Sequence, residues 1–205
     1  LTNARPATSI HPYTTREPEL GTMDYGGVKA QVVDLPSLGS SFFDSGVANN
    51  ADCILLVADK LEDIGVIEQS LSRAHGTRII VLTKIDTLEQ NELRRLDARC
   101  KSKRLSYVLT SSVTGDGIDN LKGRIFETMK RIRVYMKEPG KPASHIPAVL
   151  PIGSTVKDVA ESIRNGFYRN VRETKVTGPS AKFANQKVGL AHVLRDRDVV
   201  EFHTN

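Results

Sequence analysis

The sequence predicts an α/β protein in which a helix-covered parallel sheet is followed by a small α+β unit. Apolar runs that suit strands buried on both faces alternate with segments whose apolar residues recur every three or four positions, as in amphipathic helices. This alternation is typical of parallel sheets with right-handed crossovers. Near residue 131 the pattern changes to alternating strands and turn-rich stretches, which predicts the second unit.

Four segments of the first unit are predicted to be strands. They cover residues 28–33, 53–58, 78–83 and 107–110. Amphipathic helices follow the last three strands, and their apolar residues are Leu61, Ile64, Ile67, Leu71 and Ala74, then Leu93, Leu96 and Cys100, then Leu121, Ile125, Met129 and Ile132. Residues 1–20 contain three prolines, and we interpret them as an ordered loop.

The second unit is predicted to begin with a hairpin of strands at 131–137 and 147–152. A helix capped by Ser154 or Thr155 follows, and two short strands lie around 187–188 and 199–202. We therefore divide the chain into a first domain, residues 1–130, and a second domain, residues 131–205.

The net charge of +5 is concentrated in the second domain. Residues 131–205 contain 13 basic and 7 acidic residues, whereas residues 1–130 contain 16 basic and 17 acidic residues. Basic side chains alternate with aromatic ones at Arg164, Phe167, Tyr168, Arg169, Arg172, Lys175, Lys182, Phe183 and Lys187. This pattern predicts contact with RNA or the ribosome, although scattered surface lysines are an equally ordinary interpretation. A second basic segment, residues 94–104, fits either a solvated helix face or an RNA contact.

Composition excludes several other classes. No apolar run reaches the length of a membrane span, and no secretory signal is visible, so we expect no membrane partner. Cys53 and Cys100 lack metal-ligand spacing and are expected to be core thiols in a reducing compartment. These observations predict a soluble cytoplasmic protein.

The segment 81–86 places Thr83, Lys84 and Asp86 at the carboxyl end of a buried strand, where open α/β sheets bind ligands. A carboxylate there can accept two hydrogen bonds from a base with adjacent N–H groups, such as guanine, and a lysine stem can pack along a ring. Taken alone, this short motif more often marks a strand entering a solvated turn.

Three further signals lie near the ends of neighbouring elements. Asp34 ends a strand, where it can hold a Mg²⁺-bound water, and Thr15 in the preceding loop can ligate Mg²⁺ through its hydroxyl. Ser111 and Ser112 follow the strand at 107–110. Because these groups follow successive strands, a nucleotide site becomes the favoured interpretation.

The motif series resembles that of P-loop GTPases of the Obg family, near the developmentally regulated GTP-binding proteins, followed by a TGS domain. The resemblance implies a P-loop-GTPase-like sheet, a ubiquitin-like β-grasp domain, and GTP or GDP with Mg²⁺ as ligands. Thr15, or Thr14 in another register, and Asp34 would serve the magnesium. Thr83, Lys84 and Asp86 would bind the guanine, together with backbone N–H groups at Ser111 and Ser112.

The chain departs from the family pattern in three places. The phosphate-binding sequence G-x-x-x-x-G-K-[ST] does not occur in it, so we expect the first strand to be missing as well, leaving a groove in the sheet and impairing GTP hydrolysis. Ser37 replaces a glycine, and Thr83 replaces the usual asparagine. No glutamine that could orient water follows Asp34, so no catalytic residue is assigned.

The sequence supports two functions. The favoured one is a translation-associated GTPase that acts as a molecular switch, with the enzymatic activity of this chain left open. The alternative is a GTPase-like scaffold without turnover, whose TGS-like domain binds RNA or a ribosomal protein.

Overall fold

A computed structural model describes residues 1–2, 4, 17–38 and 40–204. The chain forms two compact units. Unit 1 comprises Leu1–Tyr25 and Lys29–Met129, and unit 2 comprises Gly26–Val28 and Lys130–Asn205. Among the described residues, no helix is both long and apolar enough to cross a membrane.

Unit 1 contains a parallel three-stranded sheet and a separate two-stranded hairpin. Its strands are β1 (Glu19–Tyr25), β2 (Val28–Asp34), β3 (Cys53–Ala58), β4 (Thr77–Leu82) and β5 (Tyr107–Leu109). Its helices are α1 (Ser45–Asn49), α2 (Ile64–Ser70), α3 (Gln90–Ser102) and α4 (Ile118–Thr128). The parallel sheet has the order β3-β4-β5, with β4 in the centre, which confirms the predicted α/β class.

Both faces of β4 are buried, as its continuous apolar sequence requires. Ile80 and Leu82 pack on one face in a core with Leu56 and Cys100. Ile79 and Val81 pack on the other face in a core that includes Met23 of β1 and Leu121 of α4. The hairpin and α4 therefore cover the face opposite α3, and β4 is the best-buried strand of the unit.

The sheet of unit 1 is split between β2 and β3. In the described part of the chain, β2 pairs with β1, and β3 pairs with β4. Val57 of β3 is 55% exposed, although it lies in an apolar strand.

The loop between β5 and α4 depends on a glycine. Gly117 has a φ of +73°, and a Cβ at this position would lie 1.9 Å from the carbonyl oxygen of Leu109. Any larger residue would displace the loop at the end of β5. Gly117 therefore lets the chain turn from β5 into α4 while the loop after Thr110 stays against the sheet.

Unit 2 is a β-grasp fold. Its elements are β6 (Arg131–Lys137), β7 (Ala148–Pro151), α5 (Val156–Ile163), β8 (Val171–Thr177), β9 (Gln186–Val188) and β10 (Asp198–Thr204). The sheet order is β7-β6-β10-β8-β9, with β6 and β10 parallel in the centre and the other pairs antiparallel. Thr155 begins α5 through a capping box with Asp158, and Val156, Val159 and Ala160 pack into the core.

Two strands were not anticipated from the sequence. β1 begins within the proline-containing segment that we interpreted as a loop, and β8 lies in the basic and aromatic segment, for which no strand is predicted. In β8, Thr174 and Val176 face the core, while Glu173 and Lys175 form an ion pair with an N–O distance of 3.5 Å. Because charged residues occupy the outward positions, β8 lacks the apolar residues by which the other strands are predicted from the sequence.

A partly buried ion pair joins Arg133 of β6 to Asp196, which lies in the turn before β10. Arg133, only 4% exposed, donates two side-chain hydrogen bonds to Asp196, at 3.0 and 2.6 Å, and its backbone N–H donates a third at 2.8 Å. Burial alone would raise the pKa of Asp196, but these hydrogen bonds outweigh it and lower that pKa. The ionised carboxylate is therefore the form that the folded state favours.

The stability of the chain should decrease below about pH 4 through Asp196. Since the folded pKa is lowered, the unfolded chain binds a proton first, and the contribution of the pair disappears as the pH falls through the folded pKa. Urea unfolding between about pH 5 and 2.5 should show a shallower decline in the free energy of unfolding for Asp196→Asn than for the wild type. Equal slopes in the two proteins would contradict this assignment.

Candidate functional site

The candidate site lies at the carboxyl ends of the strands of unit 1. Asp34 ends β2, Asp59 follows β3, Thr83 follows β4 and Thr110 follows β5. In the parallel sheet, three of these ends meet at one edge, which is the ligand-binding edge of open α/β sheets.

The loop after β4 leaves the sheet through a strained residue. The Thr83 N–H donates to the Ala58 carbonyl at 2.9 Å, which extends the β3–β4 pairing by one residue. Lys84 then adopts a left-handed conformation, with φ of 59° and ψ of 32°, and a short 3-10 turn follows at Ile85–Thr87. The reversal at Lys84 places Asp86 beside the end of β5.

Backbone hydrogen bonds connect the loop to β5. The Thr110 N–H donates to the Leu82 carbonyl at 2.7 Å, and the Ile85 N–H donates to the Thr110 carbonyl at 3.3 Å. Thr110 is 2% exposed. The two predicted motifs are therefore held together by main-chain contacts that do not depend on a ligand.

Ser111 connects the two motifs through its side chain. It is fully buried, and its hydroxyl donates to Asp86 Oδ1 at 2.5 Å. The hydroxyl oxygen of Ser111 in turn accepts hydrogen bonds from the N–H groups of Val113 and Thr114, each at 3.2 Å. Ser111 thus orients the Asp86 carboxylate and holds the loop after β5 in one arrangement.

The two serines of the predicted base-binding pair differ. The backbone N–H of Ser111 donates to the Asp116 carbonyl at 3.0 Å, so it is already used within the loop. Ser112 is exposed. Of the two, Ser112 has the more accessible position for a ligand.

Asp59 is a site residue that the sequence reasoning missed. Its Oδ2 lies 3.1 Å from Lys84 Nζ, and the hydrogen bond from Lys84 lowers the pKa of Asp59. Both side chains are largely exposed, so the pair contributes little to stability. The available signal was an acidic residue directly after a buried strand, the same signal that singled out Asp34.

The predicted magnesium ligands are only partly described. Asp34 is exposed at the end of β2, as the sequence predicts. Thr14 and Thr15 lie outside the described residues. The described ranges contain no group of three or more His, Cys, Asp or Glu residues that could hold a metal ion. Mg²⁺ accepts few protein carboxylates beside water and phosphate oxygens, so a single carboxylate at this position fits such an ion.

The arrangement can recognise a base. Asp86 is exposed, and within the described part of the chain its hydrogen-bond partner is Ser111, so the carboxylate can accept further N–H donors. Lys84 presents its aliphatic stem beside it while Asp59 holds its ammonium group. Ionised carboxylates only accept hydrogen bonds, which favours bases that present two adjacent donors.

The basic and aromatic residues predicted to bind RNA in unit 2 divide into two groups. Lys175 and Lys187 form ion pairs with Glu173, at 3.5 and 2.8 Å, and Phe167 packs edge-on against Phe202 in the core. Tyr168 accepts a 3.4 Å hydrogen bond from Arg169, which lowers the pKa of Tyr168. The remaining predicted residues are exposed: Arg164, Arg172, Lys182 and Phe183.

Two family models match the chain. The model described as a 50S ribosome-binding GTPase matches residues 1–85, and the TGS domain model matches residues 132–204. The first match includes the motif from Thr83 to Ile85, and the second covers nearly all of unit 2.

Several curated proteins are similar in sequence to this chain. An uncharacterized GTP-binding protein of Methanocaldococcus jannaschii is 35% identical over 158 residues, covering 74% of this chain and 39% of the relative. The developmentally-regulated GTP-binding protein 1 homolog of Dictyostelium discoideum is 36% identical over 157 residues, covering 75% of this chain and 40% of the relative. Ribosome-interacting GTPase 1 of Saccharomyces cerevisiae is 30% identical over 154 residues, covering 74% of this chain and 40% of the relative.

The parallel sheet, the strand-end motifs and the matched models define a GTPase-type domain joined to a TGS domain. The chain belongs to the GTP-binding proteins of the Obg and developmentally regulated type that carry a TGS domain. It spans about two fifths of the length of the curated relatives described above.

Replacing Ser111 by alanine should lower the free energy of unfolding by about 1–3 kcal/mol, because the buried Ser111 hydroxyl makes three hydrogen bonds, with Asp86 and with two backbone N–H groups, that alanine cannot make. Ser112→Ala is the matched control, since Ser112 is exposed, and it should change stability by less than about 0.5 kcal/mol. Urea unfolding of both variants measures the difference. Equal effects of the two substitutions would show that Ser111 does not hold the loop.

Proposed function

We propose that the candidate site binds the guanine base of GTP or GDP. Asp86 accepts the two adjacent N–H groups of the base, the stem of Lys84 covers one face of the ring, and Thr83 and the backbone at Ser112 complete the pocket. The observation that carries the proposal is the hydrogen bond from Ser111 to Asp86, which fixes the carboxylate at the end of β4 before any ligand binds. A fixed acceptor costs less entropy on binding than a mobile one.

Magnesium would be held on the phosphate side of the same nucleotide. We propose Asp34 as the carboxylate that orients a Mg²⁺-bound water, and Thr15 as the hydroxyl ligand. A magnesium ion bound there would neutralise charge on the phosphates. Asp34, at the exposed end of β2, is the described residue that supports this assignment.

The proposed role is that of a guanine-nucleotide switch in the cytoplasm, acting with the ribosome. The name of the yeast relative supports this role, as does the match to a 50S ribosome-binding GTPase. We further propose that exposed cations of unit 2, such as Arg164 and Arg172, contact RNA. Binding of the base has more support in this chain than hydrolysis has, because no catalytic residue is identified.

Exchange of Asp86 for asparagine tests the base assignment. Asparagine can donate a hydrogen bond where aspartate only accepts, so the variant should prefer xanthine, which carries a carbonyl in place of the exocyclic amine of guanine. Calorimetric titration of the full wild-type chain should give an affinity for GDP at least about tenfold above that for xanthosine diphosphate (XDP). The Asp86→Asn variant should bind XDP more tightly than GDP.

Asp119→Asn is the control for this experiment, since it removes another exposed carboxylate of unit 1, in the first turn of α4. It should retain the guanine preference. A wild-type chain that binds neither nucleotide, or an Asp86→Asn variant that still prefers GDP, would contradict the proposed site. The first of these results would favour the scaffold without nucleotide binding.

A further inference from the structure

Helix α3 and the two residues after it carry a concentrated positive charge in an otherwise acidic unit. Residues 90–104 contain six basic and two acidic residues, whereas the rest of residues 1–129 contains nine basic and fifteen acidic ones. The six basic side chains are all exposed, and we call them the α3 basic surface: Arg94, Arg95, Arg99, Lys101, Lys103 and Arg104.

The packing of α3 fixes which of its faces is presented to solvent. Cys100 is fully buried, and Leu96 packs against the same core. A capping box between Glu89 and Glu92 fixes the first turn. Arg94 and Lys101, seven residues apart, and Arg95 and Arg99, four apart, follow the helical repeat along the outward side. The charges therefore lie on a rigid and ordered element.

Two of the six cations are paired, and four are not. Arg99 contacts Glu62 at 2.6 Å, and Lys101 contacts Asp97 at 2.7 Å. For Arg94, Arg95, Lys103 and Arg104, the described ranges provide no ion-pair partner, so their charge is available to a ligand. Exposed pairs of this kind contribute little to stability, so the fold does not explain the excess of cations.

We propose that the α3 basic surface binds the phosphate backbone of RNA. Four of the six cations are arginines, whose planar guanidinium groups bind phosphate with two hydrogen bonds. The row from Arg94 to Lys101 extends over about 10 Å of helix, long enough to contact more than one phosphate. The surface belongs to unit 1 and shares no residue with the candidate nucleotide site, so it adds a second contact to the proposed function.

The remaining residues of the outward side favour RNA over other partners. Asn91, Ala98 and Ser102 lie between the cations, and they offer no large apolar side chain. Helices that bind membranes combine basic residues with Trp, Phe or Leu. Protein interfaces are enriched in aromatic residues at their centre. A polar, arginine-rich face without such anchors fits a phosphate backbone.

The test measures binding of the full chain to a fluorescein-labelled 20-base-pair RNA duplex by anisotropy over a range of potassium chloride concentrations. Arg94→Gln with Arg95→Gln should reduce the slope of log affinity against log salt by about 2, because each lost phosphate contact removes about one unit. Affinity at low salt should fall roughly tenfold. Arg94→Gln alone should reduce the slope by about 1.

The matched control removes the same number of charges elsewhere in unit 1, through Arg73→Gln with Lys122→Gln. It should keep the wild-type slope. Far-UV circular dichroism should show wild-type helix content for every variant, because glutamine is a good helix former. The α3 variants should also keep their affinity for GDP, which separates this inference from the proposed nucleotide site.

Three results would overturn the proposal. The first is a wild-type chain that does not bind the duplex. The second is a wild-type slope in both α3 variants while Arg164→Gln with Arg169→Gln weakens binding, which would confine the contact to unit 2. The third is an equal loss of affinity in the Arg73→Gln and Lys122→Gln control, which would indicate a general charge effect.

Discussion

The candidate site depends on the contact between Ser111 and Asp86, which joins the ends of two neighbouring strands. Without it, Asp86 would be an exposed carboxylate in a loop, and the segment after β5 would lose the acceptor for two of its N–H groups. The contact is possible because Lys84 reverses the chain after β4 and Gly117 allows the close turn into α4. A buried serine thus positions a charged group that itself remains accessible.

Most of the fold could be predicted from the sequence, because its core strands carry continuous apolar residues. β3 and β4 are examples, and the four-residue spacing of Leu121 and Ile125 indicated α4 correctly. β8 could not be predicted in this way, since Glu173 and Lys175 occupy its outward positions and are neutralised by each other and by Lys187. The alternation of buried and outward-facing residues in β8 becomes apparent only when the pairing of this strand with its neighbours is known.

The candidate site could be predicted to the level of motifs but not of contacts. The order of Asp34, Thr83 and Ser111 along the chain follows from the strand pattern. The pairing of Lys84 with Asp59 connects residues 25 positions apart, and nothing in the local sequence of either residue specifies it. The side-chain contact of Ser111 with Asp86 likewise joins residues 25 positions apart, and the local sequence of neither residue specifies it.

The most direct test of the guanine pocket is a titration of the ¹⁵N-labelled chain with GDP, followed through its backbone amide resonances. We expect the largest shifts at Lys84 to Thr87 and at Ser111 to Thr114, and much smaller shifts with ADP at equal concentration. Equal responses to the two nucleotides, or shifts confined to other parts of the chain, would contradict the guanine pocket.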